Sequence, residues 1–142
     1  MKYLVDTCVI SELAKTDPDA NVVRWIDSQE LKNIHLSVIT IGEIRRGIEK
    51  LKDGTRKNRL QSWLEDELLS LFGSRILDID LEVAICWGEL TATLDQIGKP
   101  MPAVDSLIAA TALKHQCALV TRNVEDFKNS KVEISNPWTF VD

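Results

Sequence analysis

The stretch PMPAVDSLIAATALKHQCALVT, residues 100–121, carries two signals in succession. After the two prolines, no ionisable side chain stands between Asp105 and Lys114. A helix apolar on nearly every side is buried all round. ALVT then follows as a short apolar run, which suits a buried strand. A buried helix feeding a buried strand is the unit of a parallel sheet covered on both faces, because parallel neighbours need a crossover connection. Asp105 sits at the mouth of that helix and poses a choice. It serves as a helix cap, or it belongs to chemistry.

The same alternation extends in both directions. YLVD (3–6) reads as a strand delivering Asp6 to its carboxyl end, followed by a short helix in SELAKT (11–16) and a longer one in DANVVRWIDSQEL (19–31) with Pro18 near its start. IHLSV (34–38) is a second strand. It runs into TIGEIRRGIEKLKDG (40–54), where Ile41, Ile44, Ile48 and Leu51 form one stripe and Gly54 acts as a stop. RKNRLQSWLEDELLSLFG (56–73) continues as a helix with Leu60, Trp63, Leu64, Leu68 and Leu71 facing inward, so the pair reads as a helical hairpin. RILDI (75–79) is a third strand, and DLEVAICWGELTATLDQIG (80–98) is a helix capped by Asp80 and ended by Gly98 and Pro100. TRNVEDF (121–127) reads as a loop or single turn and KVEIS (131–135) as a fifth strand. The pattern predicts an α/β sandwich whose crossovers are right-handed.

Composition limits what such a protein does. The 142 residues, 44% of them hydrophobic, suit one domain (1–142) with a sizeable core. No apolar run reaches the roughly 18 residues of a membrane span, and Asp6 interrupts the opening MKYLVDTCVI, so no membrane association and a cytoplasmic location are expected. Cys8, Cys86 and Cys117 are odd in number, form no CxxC pair and read as buried thiols. The net charge of −5 argues against a surface that wraps nucleic acid all over. Between Arg45 and Arg59, however, seven basic residues face two acidic ones, so Arg45, Arg46 and Lys50 are candidates for drawing phosphates, against the plain reading of a solvated helix face. Trp25, Trp63 and Trp87 lie on apolar stripes and read as packing residues, in the core or at a dimer contact.

Ligands of open parallel sheets gather outside the carboxyl ends of the strands. Asp6 follows the first strand, Glu43 lies in the first turn or so after the second, Asp105 opens the helix before the fourth, and Asn123, Glu125 and Asp126 follow the fourth. Each acid alone has a plain explanation in a turn hydrogen bond or a helix dipole. Together, carboxylates converging on one cleft repel each other unless a cation is present. Oxygen ligands without Cys or His nearby favour Mg²⁺ or Mn²⁺, which polarise a phosphoryl oxygen and acidify water. His35 lies within a strand and His115 about 15 Å along the helix from Asp105, so neither is placed as a general base. No GxxxxGK[ST] or GxSxG motif occurs.

Four motifs in order, LVDTCVISEL (4–13), SVITIGEIRRGI (37–48), PAVDSLIAATAL (102–113) and LVTRNVEDF (119–127), resemble the PIN-domain ribonucleases, and within them the bacterial VapC and FitB type toxins. The resemblance covers essentially the whole chain. It implies a PIN-like three-layer sandwich with a five-stranded parallel sheet flanked by helices, and a Mg²⁺-dependent endoribonuclease, with Mn²⁺ as a substitute. Asp6 and Asp105 match the metal ligands, Glu43 the third acid, Thr7 and Ser11 the polar pair after the first acid, and Thr121 the hydroxyl after the fourth strand. Some relatives carry an acid where this chain has Asn123, and the nearest acid here is Asp126. Asn123 can hydrogen-bond to water or phosphate but cannot neutralise a second cation.

The resemblance further implies a type II toxin–antitoxin system. Its toxins form homodimers, and a small antitoxin covers the cleft and supplies any DNA contact. Two other readings make different demands. A receiver-like Mg²⁺ module needs a lysine after a late strand, where this chain has Arg122 and Asn123, and a catalytically silent interaction domain would have lost an acid, whereas Asp6, Glu43 and Asp105 are all present.

Overall fold

The computed structural model describes residues 1–141. Its centre is a five-stranded sheet, all parallel, built from β1 (Lys2–Val5), β2 (Ile34–Ser37), β3 (Ile76–Leu77), β4 (Cys117–Val120) and β5 (Ile134–Ser135) in the order β3-β2-β1-β4-β5. Successive strand residues point to opposite faces, and both faces are buried. Val5 and Val120 pack with α1 (Thr7–Leu13), α2 (Ala20–Asp27) and α3 (Val38–Glu49) through Val9, Val22, Trp25, Ile44 and Ile48. Leu4 and Leu119 face the other way, onto Ile108, Ala109 and Ala112 of α7 (Ala103–Lys114) and Phe127 of α8 (Val124–Phe127).

The helices between follow from local chemistry. In α6 (Leu81–Gln96) the Asp80 carboxylate accepts the Val83 N–H at 2.9 Å, as its position predicts. At the other end Gly98 takes φ +69°, and the bonds Lys99 N–H to Leu94 O and Gly98 N–H to Asp95 O close the helix in a Schellman turn. Trp87 on α6 donates its indole N–H to Ser106 Oγ at 2.9 Å, fastening α6 to the first turn of α7 beside Asp105. Glu12, almost fully enclosed, accepts from Lys15 Nζ and from the Asp19 N–H, both at 2.9 Å, and so fixes the link from α1 to α2. The Lys15 bond foremost, then the Asp19 N–H, holds the Glu12 carboxyl below the usual carboxylate range.

Several expectations need correction. The first helix begins at Thr7, not Ser11, because Asp6 caps it. Gly54 does not stop α3, whose cap is Lys50. It precedes α4 (Thr55–Ser62) with φ +154°, a conformation that favours glycine. Leu71 does not face inward: it is 53% exposed while Phe72 is 5% exposed. The cause is a π-helical stretch, Trp63–Leu68, between α4 and α5 (Leu69–Phe72), whose wider turn rotates everything after it. Of the three cysteines only Cys117 is fully buried, and Cys8 and Cys86 are half-buried.

Candidate functional site

In the strand order the chain steps outward from β1 to β2 and β3, then crosses back to β4 on the other side of β1. The crevice of such a sheet lies where the direction reverses, outside the carboxyl ends of β1 and β4. The register there pairs Val5 with Val120, and the Asp6 N–H donates to Val120 O at 2.9 Å. Asp6 and Thr121 are therefore forced side by side, and the buried Thr121 hydroxyl donates to Asp6 Oδ2 at 2.8 Å. The other oxygen, Oδ1, accepts the Thr7 N–H at 2.8 Å. A carboxylate with both oxygens held in this way has one orientation.

The first turn of α1 carries the second contact. Thr7 Oγ1 donates to Glu43 Oε1 at 2.6 Å and lies 3.2 Å from Thr40 Oγ1, so Glu43, on the second turn of α3, is drawn to the Asp6 end of the site. Asp105 is treated differently. It is the third residue of α7, whose N-cap is Pro102, so the cap reading fails for its side chain. Its half-buried carboxylate accepts no hydrogen bond from any described residue. Burial pushes its pKa up, and the negative charges of Asp6, Asp126 and Glu43 push it further. Asp6, Glu43 and Asp126 thus stand within electrostatic range of Asp105 at this edge of the sheet.

The supporting residues divide. Thr121 and Thr7 are in contact with the acids as described. Asn123 contributes its backbone N–H to Thr121 Oγ1 at 3.0 Å, while its exposed side chain caps nothing. Asp126 is exposed on α8, near enough to act on Asp105 by charge. Ser11 is exposed one turn beyond Thr7, at the mouth of a groove between α1, α3 and α4. Arg45 is not part of the site: it pairs with Glu49 at 2.8 Å and Glu65 at 3.2 Å. Arg46 on α3 and Lys50 at its C-terminal cap are exposed and do not line the groove.

Cys8 is the residue that composition did not mark. Its Sγ lies 3.7 Å from Asp6 Oδ2 and 3.5 Å from Thr121 Oγ1, and the Arg122 N–H donates to it at 3.5 Å. Burial raises the thiol pKa most, and Asp6 adds to it, so the group stays a neutral spacer at the back of Asp6. Its place two residues after Asp6 is the only signal that could have found it.

The donor set suits a hard divalent cation: carboxylate and hydroxyl oxygens with both histidines elsewhere, His35 in β2 and His115 at the far end of α7. Among the described residues no three His, Cys, Asp or Glu side chains close in tightly enough to hold a metal by themselves.

A parallel α/β sheet with carboxylates gathered at its switch point defines a class of acid-lined, oxygen-donor sites. The PIN domain family model matches residues 3–131, and this chain belongs to that family. It is 40% identical over 135 residues to Toxin FitB of Neisseria gonorrhoeae, covering 95% of this chain and 97% of that one. It is 38% identical over 135 residues to VapC ribonuclease Y4jK of Sinorhizobium fredii, covering 95% and 96%. The structure of FitAB bound to an IR36 DNA fragment superposes with a TM-score of 0.92 at 38% identity, over 99% of this chain and 98% of that chain. The sheet and layers expected of the PIN fold are those observed.

Proposed function

We propose that this chain is the toxin of a type II toxin–antitoxin system, a divalent-metal-dependent endoribonuclease acting as a single PIN domain over residues 1–142. The observation that carries the reading is Asp105: a half-buried carboxylate without a hydrogen-bond donor, set against Asp6, Glu43 and Asp126. Such an arrangement costs stability unless a cation completes it. The names of the relatives, a toxin and a VapC ribonuclease, support the same activity.

Asp6 and Asp105 would hold Mg²⁺, with Mn²⁺ as a substitute. When bound, the ion supplies charge neutralisation at the phosphoryl oxygens and a water of lowered pKa. The chain's own residues do the rest. Thr121 and the Thr7 N–H fix Asp6 in a single orientation. The Thr7 hydroxyl occupies Glu43 Oε1, which leaves Oε2 to accept a hydrogen bond from the attacking water as it approaches phosphorus in line with the leaving oxygen. Asp126 adds negative charge at the rim, and Asn123 offers a neutral hydrogen bond to phosphate or water. Ser11 lies where the strand would leave the site.

The partner is a cognate antitoxin covering the acidic cleft, with the toxin as a homodimer in the cytoplasm and DNA reached only through the antitoxin. The structure of FitAB bound to an IR36 DNA fragment supports a partner complex that meets DNA. No helix of the described residues is long and apolar enough to cross a membrane.

Purified protein freed of any partner should cut single-stranded RNA in Mg²⁺, stop on addition of EDTA, and recover with Mg²⁺ or Mn²⁺. Cleavage that continues undiminished in EDTA would sink the metal-dependent reading. A folded, metal-supplied protein that cuts no RNA would favour the silent interaction domain.

A further inference from the structure

We infer that the groove between α1, α3 and α4 is the cradle of the substrate strand next to the acids, an assignment that rests on the ribonuclease reading for the identity of the ligand. The groove has a volume of about 550 Å³ and counts Glu43 and Ser11 in its lining, so it shares Glu43 with the acidic site. Arg56 and Arg59 form part of its far wall, three residues apart on α4, and Trp63 follows on the same face. Lys15 stands on the α1 side.

The basic run is sorted by this geometry. Arg45 is bound to Glu49 and Glu65, and Lys57 is paired with Glu49 at 3.9 Å and Asp53 at 3.5 Å. Arg56 and Arg59, both exposed, take part in no ion pair or side-chain hydrogen bond among the described residues. Two guanidiniums without carboxylate partners among the described residues therefore line a groove that shares Glu43 with the acids. A chain of net charge −5 repels RNA over most of its surface, and free cations beside the acids offset this locally.

The half-buried indole of Trp63 gives a base a surface to stack on, while the arginines meet the phosphates on either side. Charge with stacking describes recognition of a single strand by its repeating chemistry. The volume suits a short piece of strand and not a duplex.

The test uses the Asp6→Asn chain, in which cleavage is suppressed, titrated with a short fluorescein-labelled single-stranded RNA at several salt concentrations. Adding Arg56→Gln and Arg59→Gln together should weaken binding about tenfold at low salt and flatten the log–log salt slope by about 1.4, two single-strand phosphate contacts at about 0.7 each. Trp63→Leu should weaken binding about tenfold with the salt slope unchanged. In the otherwise unaltered enzyme the arginine pair should raise KM with kcat nearly constant, the mark of lost uniform binding.

Unchanged affinity and slope in the arginine variant would overturn the assignment. So would a variant that binds and cuts RNA normally but no longer holds a protein partner, which would make the groove a protein-docking site. A protein that cuts no RNA but shows the arginine-dependent titration would remove the ribonuclease reading and keep the groove. One that cuts RNA without regard to the arginines would do the reverse.

Discussion

Asp6→Asn and Asp105→Asn should each lower kcat/KM for RNA cleavage by at least about 10³, which is about 4 kcal/mol of transition-state stabilisation, and remove growth inhibition on expression. The two variants reach that result with different effects on the fold. At Asp6 an amide still accepts the Thr7 N–H on its oxygen and donates from its nitrogen to Thr121 Oγ1, so the folded state keeps its contacts and loses only charge. At Asp105 no donor is lost. The folded carboxyl has its pKa raised first by burial and then by Asp6, Asp126 and Glu43.

A folded state that holds this proton more tightly than the unfolded chain loses stability as pH rises from the unfolded value through the folded one, and the loss is complete above it. At neutral pH in EDTA the ionised Asp105 therefore opposes folding. Asp105→Asn should raise Tm there by about 3 °C, from the order of 1 kcal/mol, and the gain should vanish at a pH below the unfolded carboxyl pKa. Thermal melts in EDTA across pH, paired with cleavage assays, check both halves. An Asp105→Asn chain that cuts at the parent rate, or that melts lower than the parent at neutral pH in EDTA, contradicts the site as drawn.

How far these residues could be read in advance depended on whether their signals are local. Asp80, Gly98 and the stripe of α3 act within one turn, and each was legible from spacing alone. The start of α1 was not. TCVI is rich in β-branched residues that disfavour helix, and only burial on the sheet together with the Asp6 cap overrides that preference. Leu71 was misplaced for a related reason. A period of 3.6 carries no warning of a π-helical turn, and one such stretch moves the core position to Phe72.

The acids were legible as a set because strand ends in a parallel sheet share one side, whatever the strand order. Which of them touch which hydroxyl was not, since the Asp6–Thr121 bond is made by the register of β1 on β4 across 115 residues of sequence. The basic run shows the same limit from the other side. Counting charge located it, and spacing on α3 pairs Arg45 with Glu49, but only tertiary packing brings Glu65 of the π-helical stretch to Arg45 and places Arg56 and Arg59 along the groove.

Thr121→Val should lower cleavage 10- to 100-fold although Thr121 is neither an acid nor exposed, because a partner that orients a metal ligand counts nearly as much as the ligand. The substitution keeps the shape and removes one hydroxyl, and that hydroxyl serves two groups. It donates to Asp6 Oδ2 and accepts the Asn123 N–H, so its loss leaves Asp6 Oδ2 with only the Cys8 thiol at 3.7 Å and the Asn123 amide without its bond. A stability loss on the order of 1–3 kcal/mol should accompany this. Thr121→Ser retains the hydroxyl and should restore most of the activity while losing only packing of the methyl group. A purely structural role would leave kcat at the parent value well below Tm. The orienting role instead raises the Mg²⁺ concentration needed for half-maximal cleavage in the valine variant and returns it toward normal in the serine variant. Parent-like metal dependence and rate in Thr121→Val would show that Asp6 is held in place without it.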